Sequence, residues 1–161
     1  MPMFAWLNKG LIRFSRDTSG NTLLEFAFVI PVWLLLMTGM LEVGRAYFQA
    51  NALDKAVRAG ATYAARNTIP LSNAVKTEAE NIIKTGNKDG NGGYLVSGWG
   101  VTGSSLAITT SDYAIDETSS VGVIRVVASV PFDAVLPGMG SFVGLDNFTI
   151  QSTHEQAYVG D

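Results

Sequence analysis

Cysteine is absent from this chain of 161 residues, and histidine occurs once, as His154. The lack of cysteine excludes disulfide bonds, a thiolate nucleophile and a cysteine-ligated metal centre. One histidine, with no second histidine or cysteine near it, supplies too few ligands for zinc and no catalytic dyad. No serine stands in a nucleophile-elbow pattern. We therefore predict that the chain is not an enzyme and carries no cofactor, and that His154 is a half-exposed residue of a strand.

Positive charge is scarce beyond the first twenty residues. Residues 1–20 carry Lys9, Arg13 and Arg16 against Asp17, whereas residues 21–161 hold 8 basic and 13 acidic side chains, a net charge of −5. An acidic chain without clustered Lys and Arg is not expected to bind nucleic acid. Because basic residues favour the cytoplasmic side of a membrane, this asymmetry predicts a cytoplasmic N-terminus and an exported C-terminal part.

One long apolar run, residues 22–41, dominates the sequence. It is interrupted only by Thr22, Glu25 and Thr38, and twenty residues of α-helix rise about 30 Å, roughly the thickness of a bilayer core. The run is longer than the apolar part of an ordinary secretory signal. We therefore predict a membrane-spanning helix, with a kink at Pro31 because proline cannot donate to the Ala27 carbonyl.

The residues at the start of this run resemble a processing site. The string from Gly20 to Phe26, which reads GNTLLEF and follows a basic leader, resembles the cleavage site of type IV prepilins and pseudopilins. The longer string over residues 24–66 is similar to the TadE-like family of minor pilins or pseudopilins of tight-adherence (Flp) pili. The matching elements are Glu25-Phe26-Ala27, Pro31, Gly39, Glu42, Gly44-Arg45 and Ala56-Val57-Arg58-Ala59-Gly60-Ala61.

This resemblance implies a function in the assembly of an adhesive pilus. It implies cleavage by a prepilin peptidase between Gly20 and Asn21, with residues 1–20 as a cytoplasmic leader. It also implies that Glu25, the fifth residue of the mature chain, pairs with the new ammonium group on Asn21 of a neighbouring subunit, and that Glu25 and Pro31 serve assembly. The implied partners are the peptidase, other pilins and pseudopilins, the inner-membrane assembly platform and membrane lipid.

A second interpretation remains open at this point. The chain would then be an uncleaved single-pass anchor in the bacterial inner membrane that displays a periplasmic binding or sensor domain. Glu25 would have no ammonium partner and would lie at the level of the lipid headgroups. The two interpretations differ in the mass of the membrane-bound protein.

The remaining sequence predicts an α+β fold. Small and apolar residues spaced by three and four extend the helix over residues 21–67, with a seam of Val43, Ala46, Ala50, Leu53, Val57, Gly60 and Ala64. That seam would pack on the protein's own domain or between subunits. Pro70 separates this helix from a second one over residues 71–85, which Gly86 caps. Candidate strands at 94–101, 105–115, 121–132 and 148–158 complete an antiparallel sheet in an exported domain, residues 68–161.

Two smaller features have competing interpretations. Asn87, Asp89 and Asn91 alternate ahead of Gly92 as in a calcium-binding loop, but Gly98 stands where the bidentate glutamate is expected. The turn preference of Asn, Asp and Gly favours a loop without metal. Glu42 and Arg45 can pair across one helical turn and would mark the boundary between membrane and water.

Overall fold

The computed structural model describes residues 19–135 and 148–159. The predicted leader lies almost entirely outside these residues. The described elements are helix α1 (Ser19–Ala65), helix α2 (Asn73–Thr85), a 3₁₀ turn (Ser97–Gly100) and strands β1 (Ser105–Ala114), β2 (Ser120–Pro131) and β3 (Thr149–Ala157). The predicted α+β fold is confirmed.

The chain divides into two units, Met1–Met40 and Leu41–Asp161. In the first unit, α1 exposes thirteen large apolar side chains, each by more than a third of its surface, on all sides of the helix. They are Leu23, Leu24, Phe26, Phe28, Val29, Ile30, Val32, Trp33, Leu34, Leu35, Leu36, Met37 and Met40. By length and composition, α1 is the one helix among the described residues that could cross a membrane.

In the second unit, α1 buries only one face. Leu53, Val57 and Ala64 of the predicted seam are completely buried, and they belong to a core that also contains residues of α2, the 3₁₀ turn, β2 and β3. The seam therefore packs on the protein's own domain. It extends less far than predicted, because Val43 is 55% exposed.

Helix α2 begins two residues later than predicted because Ser72 caps its N-terminus. The Ser72 hydroxyl accepts a hydrogen bond from the Val75 amide, which satisfies one of the donors that a first turn leaves without a partner. At the other end Gly86 has a φ of 79°, a left-handed conformation that glycine adopts without strain, so the predicted C-cap is confirmed.

The sheet has three antiparallel strands in the order β1-β2-β3. Strand β2 lies in the centre, with Ser105 opposite Ser129 on one side and Val130 opposite Ile150 on the other. The side chains of β2 alternate in burial, since Ile124, Val126, Ala128 and Val130 are all fully buried. The three predicted strands that match β1, β2 and β3 agree with them to within one residue at each end.

The strand predicted over residues 94–101 is wrong, because the segment contains the 3₁₀ turn Ser97–Gly100 instead. The turn brings Gly98 against β2, where a Cβ atom would lie 2.0 Å from the Pro131 carbonyl oxygen and 2.5 Å from Val130 Cγ1. Only glycine permits this approach. Trp99 is 7% exposed, so this aromatic side chain covers the core from a turn.

Candidate functional site

Gly20, Asn21 and Glu25 lie together in the first two turns of α1, and all three are exposed. No heavy atom lies within 4 Å of the position that a Cβ of Gly20 would occupy. The Asn21 amide donates to Glu25 Oε1 at 3.3 Å, since residues four apart share one helix face. The proposed cleavage position and the acid that would pair with its product are thus one helical turn apart.

The other polar residues of the apolar run have different environments. Pro31 lies inside α1, and the helix continues on both sides of it. The Thr38 hydroxyl donates to the Leu34 carbonyl at 2.7 Å, which satisfies its donor within the helix. A hydroxyl with a hydrogen-bond acceptor costs little free energy in lipid. The ionisable Glu25 therefore differs from Thr38 within the apolar run.

Glu42 and Arg45 form a polar cluster in the second unit. Glu42 Oε2 lies 3.3 Å from Arg45 Nη1, and Glu42 Oε1 accepts from the Val135 amide at 3.0 Å. Arg45 Nη2 donates to the Asp133 carbonyl at 3.3 Å. The two side chains therefore fasten the segment after β2 to α1.

Sequence reasoning placed the Glu42–Arg45 pair at a water boundary and missed this packing role. Glu42 is only 3% exposed, although ionisable residues are seldom buried unless they have partners. The backbone partner of Glu42, the Val135 amide, and that of Arg45, the Asp133 carbonyl, are about ninety residues away in sequence, so helical spacing alone contained no signal for them.

The Asn87 loop closes on itself. The Asn87 side-chain amide donates to the Asn91 carbonyl at 2.7 Å, and the Asn81 side chain binds the Lys88 carbonyl. Gly90 has a φ of 71° and Gly92 one of 109°, conformations that belong to turns. Among the described residues, no three acidic or histidine side chains cluster as metal ligands would. The Asn87 side chain therefore has a structural explanation in the turn itself.

A further polar cluster links α1 to α2. The Tyr63 hydroxyl donates to a carboxylate oxygen of Glu78, and Lys88 Nζ lies 4.8 Å from the centre of the Tyr63 ring. The hydrogen bond to Glu78 raises the pKa of Tyr63, since it favours the protonated phenol. Tyr63 therefore acts as a bridge between the helices.

His154 is partly buried on β3, as predicted.

These features define a class of protein with an N-terminal apolar helix that is long enough to span a membrane, followed by a small α+β unit. The C-terminal half of the helix forms part of that unit. Residues 20–62 match the family model described as TadE-like protein. The match covers about a quarter of the chain, and it confirms the resemblance to the TadE-like family in the segment that contains Gly20, Glu25, Glu42 and Gly60. No curated protein and no solved structure gives a significant match.

The TadE-like family is associated with tight-adherence pili and is structural rather than catalytic. The match therefore points to a pilus-associated protein that interacts with other pilus components. The long apolar helix at the N-terminus indicates a membrane anchor.

Proposed function

We propose that this chain is a minor pilin or pseudopilin of a tight-adherence pilus and that a prepilin peptidase processes it after Gly20. The observation that carries the proposal is the position of the family match, which begins at Gly20 and runs through the apolar helix. In this proposal residues 1–20 are a cytoplasmic leader, residues 21–67 form the helix with a membrane span over about 22–41, and residues 68–161 are exported.

The exposed apolar surface of α1 supports storage in lipid before assembly. Each large apolar side chain that leaves water contributes about 1.5–3 kcal/mol. Thirteen such side chains in the first unit make that helix unfavourable in water by tens of kcal/mol. The same surface can later be buried among the helices of other pilins, because hydrocarbon and an apolar helix bundle offer similar surroundings.

Cleavage would create the charge that Glu25 needs. Hydrolysis of the peptide bond between Gly20 and Asn21 leaves an ammonium group on Asn21, close to the level of Glu25 on α1. Gly20 and Asn21 are exposed, and no heavy atom lies within 4 Å of the position of a Gly20 Cβ, so a peptidase has room to approach this bond. Opposite charges 4 Å apart attract by about 4 kcal/mol at an effective dielectric constant of 20. A neighbouring subunit with a free Asn21 ammonium would thus be favoured over an unprocessed one.

The deciding experiment is the intact mass and N-terminal sequence of the protein extracted from membranes with and without its prepilin peptidase. We expect a chain that begins at Asn21 only when the peptidase is present. A chain that keeps residues 1–20 under both conditions would refute processing, and it would favour the uncleaved anchor with a periplasmic binding or sensor domain.

Replacement of Glu25 tests its role in assembly. We expect Glu25→Ala to insert into the membrane and to be cleaved, but to reduce the amount of surface pilus at least tenfold, because the ammonium of a neighbour loses its partner. Glu25→Gln keeps the size and removes the charge, so it should have the same defect. Normal pilus yield from both variants would show that the carboxylate is not needed.

A further inference from the structure

An open groove of about 620 Å³ runs along the exposed face of α1 in the second unit, and its lining is cationic. Lys55, Arg58, Thr62 and Arg66 contribute to this lining. Arg58 lies 3.4 Å from Asp54, whereas no carboxylate of the described residues forms an ion pair with Lys55 or Arg66. The groove therefore has two more positive than negative charges in a domain that is acidic overall.

An apolar groove of about 340 Å³ adjoins the cationic one. It is lined in part by Ala56, Ile82 and Leu95, and it shares Lys55 and Ala59 with its neighbour. Leu95 is 48% exposed. The two grooves together form a surface that is apolar on one side of Lys55 and positively charged on the other, which we call the α1 groove.

The hairpin of β1 and β2 carries acidic and apolar side chains that complement the α1 groove. Asp112, Asp116 and Glu117 lie at its end, and no Lys or Arg occurs between residues 105 and 124. The same end exposes two large apolar side chains, Tyr113 at 68% and Ile115 at 64%. We call residues 112–119 the hairpin tip.

The hairpin tip is held in shape by Asp116. Its Oδ1 accepts hydrogen bonds from the Thr118 amide at 2.8 Å, the Ser119 amide at 2.7 Å and the Thr118 hydroxyl at 3.0 Å. The Ile115 amide donates to the Ser119 carbonyl at 2.9 Å, which continues the ladder beyond the last strand residue. A rigid tip loses little conformational entropy when it docks.

We propose that the α1 groove of one copy of this chain receives the hairpin tip of a second copy. Acidic side chains of the tip would lie against Lys55 and Arg66, and Tyr113 with Ile115 would enter the apolar part. Among the described contacts, none joins the tip to the groove of its own chain. Because the two surfaces differ, the contact is head-to-tail and can repeat from copy to copy rather than close as a symmetric dimer.

The apolar part of the contact is necessary for this proposal. Exposed ion pairs alone contribute little, whereas burial of a tyrosine and an isoleucine adds a hydrophobic contribution that salt does not screen. Confinement of both copies to one membrane raises their effective concentration. Charge then selects the orientation in which the copies meet.

Cysteine cross-linking tests the contact directly, because the natural chain has no cysteine. Full-length, uncleaved copies with Thr62→Cys in the groove are co-expressed with copies carrying Thr118→Cys in the tip, in membranes that lack a prepilin peptidase. We expect an oxidised dimer of one copy of each kind. Thr153→Cys, on the exposed side of β3, replaces Thr118→Cys in the control and should give at least fivefold less dimer. Equal yields, or no dimer, would overturn the proposal.

A charge exchange separates specific docking from chance collision. Arg66→Glu and Glu117→Lys, each introduced alone into both cysteine-bearing copies, should lower the yield of dimer about three- to tenfold. The two changes together should restore it, since residues 66 and 117 again have opposite charges. Both positions are exposed. Circular dichroism of each variant is the check that it folds. Failure of the double variant to recover would refute the pairing.

This inference goes beyond the proposed function and does not require processing after Gly20. Cross-linking of the uncleaved chain without peptidase would succeed even if Gly20 were never cut. Conversely, a mature chain that begins at Asn21 but gives no cross-link would leave the pilin assignment intact and refute only the docking of tip into groove.

Discussion

Gly60 is the position at which the packing of α1 on α2 can be tested most sharply. A Cβ atom at residue 60 would lie 2.3 Å from Ile83 Cγ1, 2.6 Å from Ile83 Cδ1 and 3.1 Å from the Ala79 carbonyl oxygen. Ile83 is completely buried, so its side chain has no free space to move into, and the carbonyl belongs to the α2 backbone. Gly60→Ala must therefore push the two helices apart.

Two opposing terms decide the size of the effect. Alanine is favoured over glycine inside a helix by about 1 kcal/mol, whereas an added methyl group in a well-packed core costs about 1–3 kcal/mol. Two contacts below 3 Å place Gly60 toward the upper end of that range. We expect Gly60→Ala to destabilise the second unit by about 1–2 kcal/mol. For a unit of about 120 residues, this lowers the melting temperature by roughly 4–8 °C.

Gly44 is the matched control because it lies on the same helix with no heavy atom within 4 Å of its Cβ position. Gly44→Ala should gain only the higher helix propensity of alanine and should raise the melting temperature by roughly 4 °C. The assay is thermal unfolding of the detergent-solubilised full chain with Trp6 and Trp33 replaced by phenylalanine, followed by the fluorescence of Trp99, which is buried. The reasoning is refuted if Gly60→Ala stabilises the protein as Gly44→Ala does.

A second substitution identifies the cause of the destabilisation. In an Ile83→Ala background the new methyl group of Gly60→Ala enters space that the isoleucine has vacated. We expect the double variant to be more stable than the sum of the two single effects predicts, with a coupling of about 1–2 kcal/mol. Strict additivity would show that contact with Ile83 is not the reason.

Three further predictions follow from other contacts. Gly98→Ala should lower the melting temperature by more than Gly60→Ala, because its methyl group meets the Pro131 carbonyl oxygen, a backbone atom, at 2.0 Å; an equal or smaller shift in the same assay would contradict this. Glu42→Ala should cost about 1–3 kcal/mol because the Val135 amide loses its acceptor, and Glu42→Gln, which keeps an acceptor oxygen, should cost less. Hydrogen bonds from Ser119 and Thr118 lower the pKa of Asp116 to about 2 from 3.8, so its contribution to the turn is present above about pH 3.8 and is lost as the pH falls through 2. An NMR titration of the Thr118 amide with a midpoint near 4 would refute that shift.

The sequence was sufficient for most elements because their signals are local. The buried face of β2 follows from strict alternation, and the C-terminal end of α2 follows from a glycine in the left-handed region. The family resemblance was equally local, since the matched residues 20–62 form one uninterrupted helical segment.

The errors came from contacts between residues far apart in sequence. Tyr94 to Val101 has the composition of a strand, but Gly98 must approach Pro131 on β2, and this approach imposes a turn. Nothing within the eight residues encodes that neighbour. The candidate site was predictable only in part for the same reason, since Gly20, Asn21 and Glu25 are adjacent in sequence, whereas the partners of Glu42 come from the segment after β2.

The burial pattern of helix α1 differs between the two units. In the first unit its apolar side chains are exposed on every side, which suits a surrounding of lipid or of other apolar helices. In the second unit a single face of small and apolar residues is buried, and the other faces carry charged residues such as Lys55 and Arg58 together with exposed apolar ones such as Phe48. The first ionisable residue after Glu25 is Glu42, and a rule based on polarity alone places it in water. Its burial and its hydrogen bond from the Val135 amide show instead that Glu42 begins the part of α1 that belongs to the folded domain. Substitution of Glu42 should therefore affect the stability of that domain, whereas substitution of Glu25 should leave that stability unchanged and act on assembly alone.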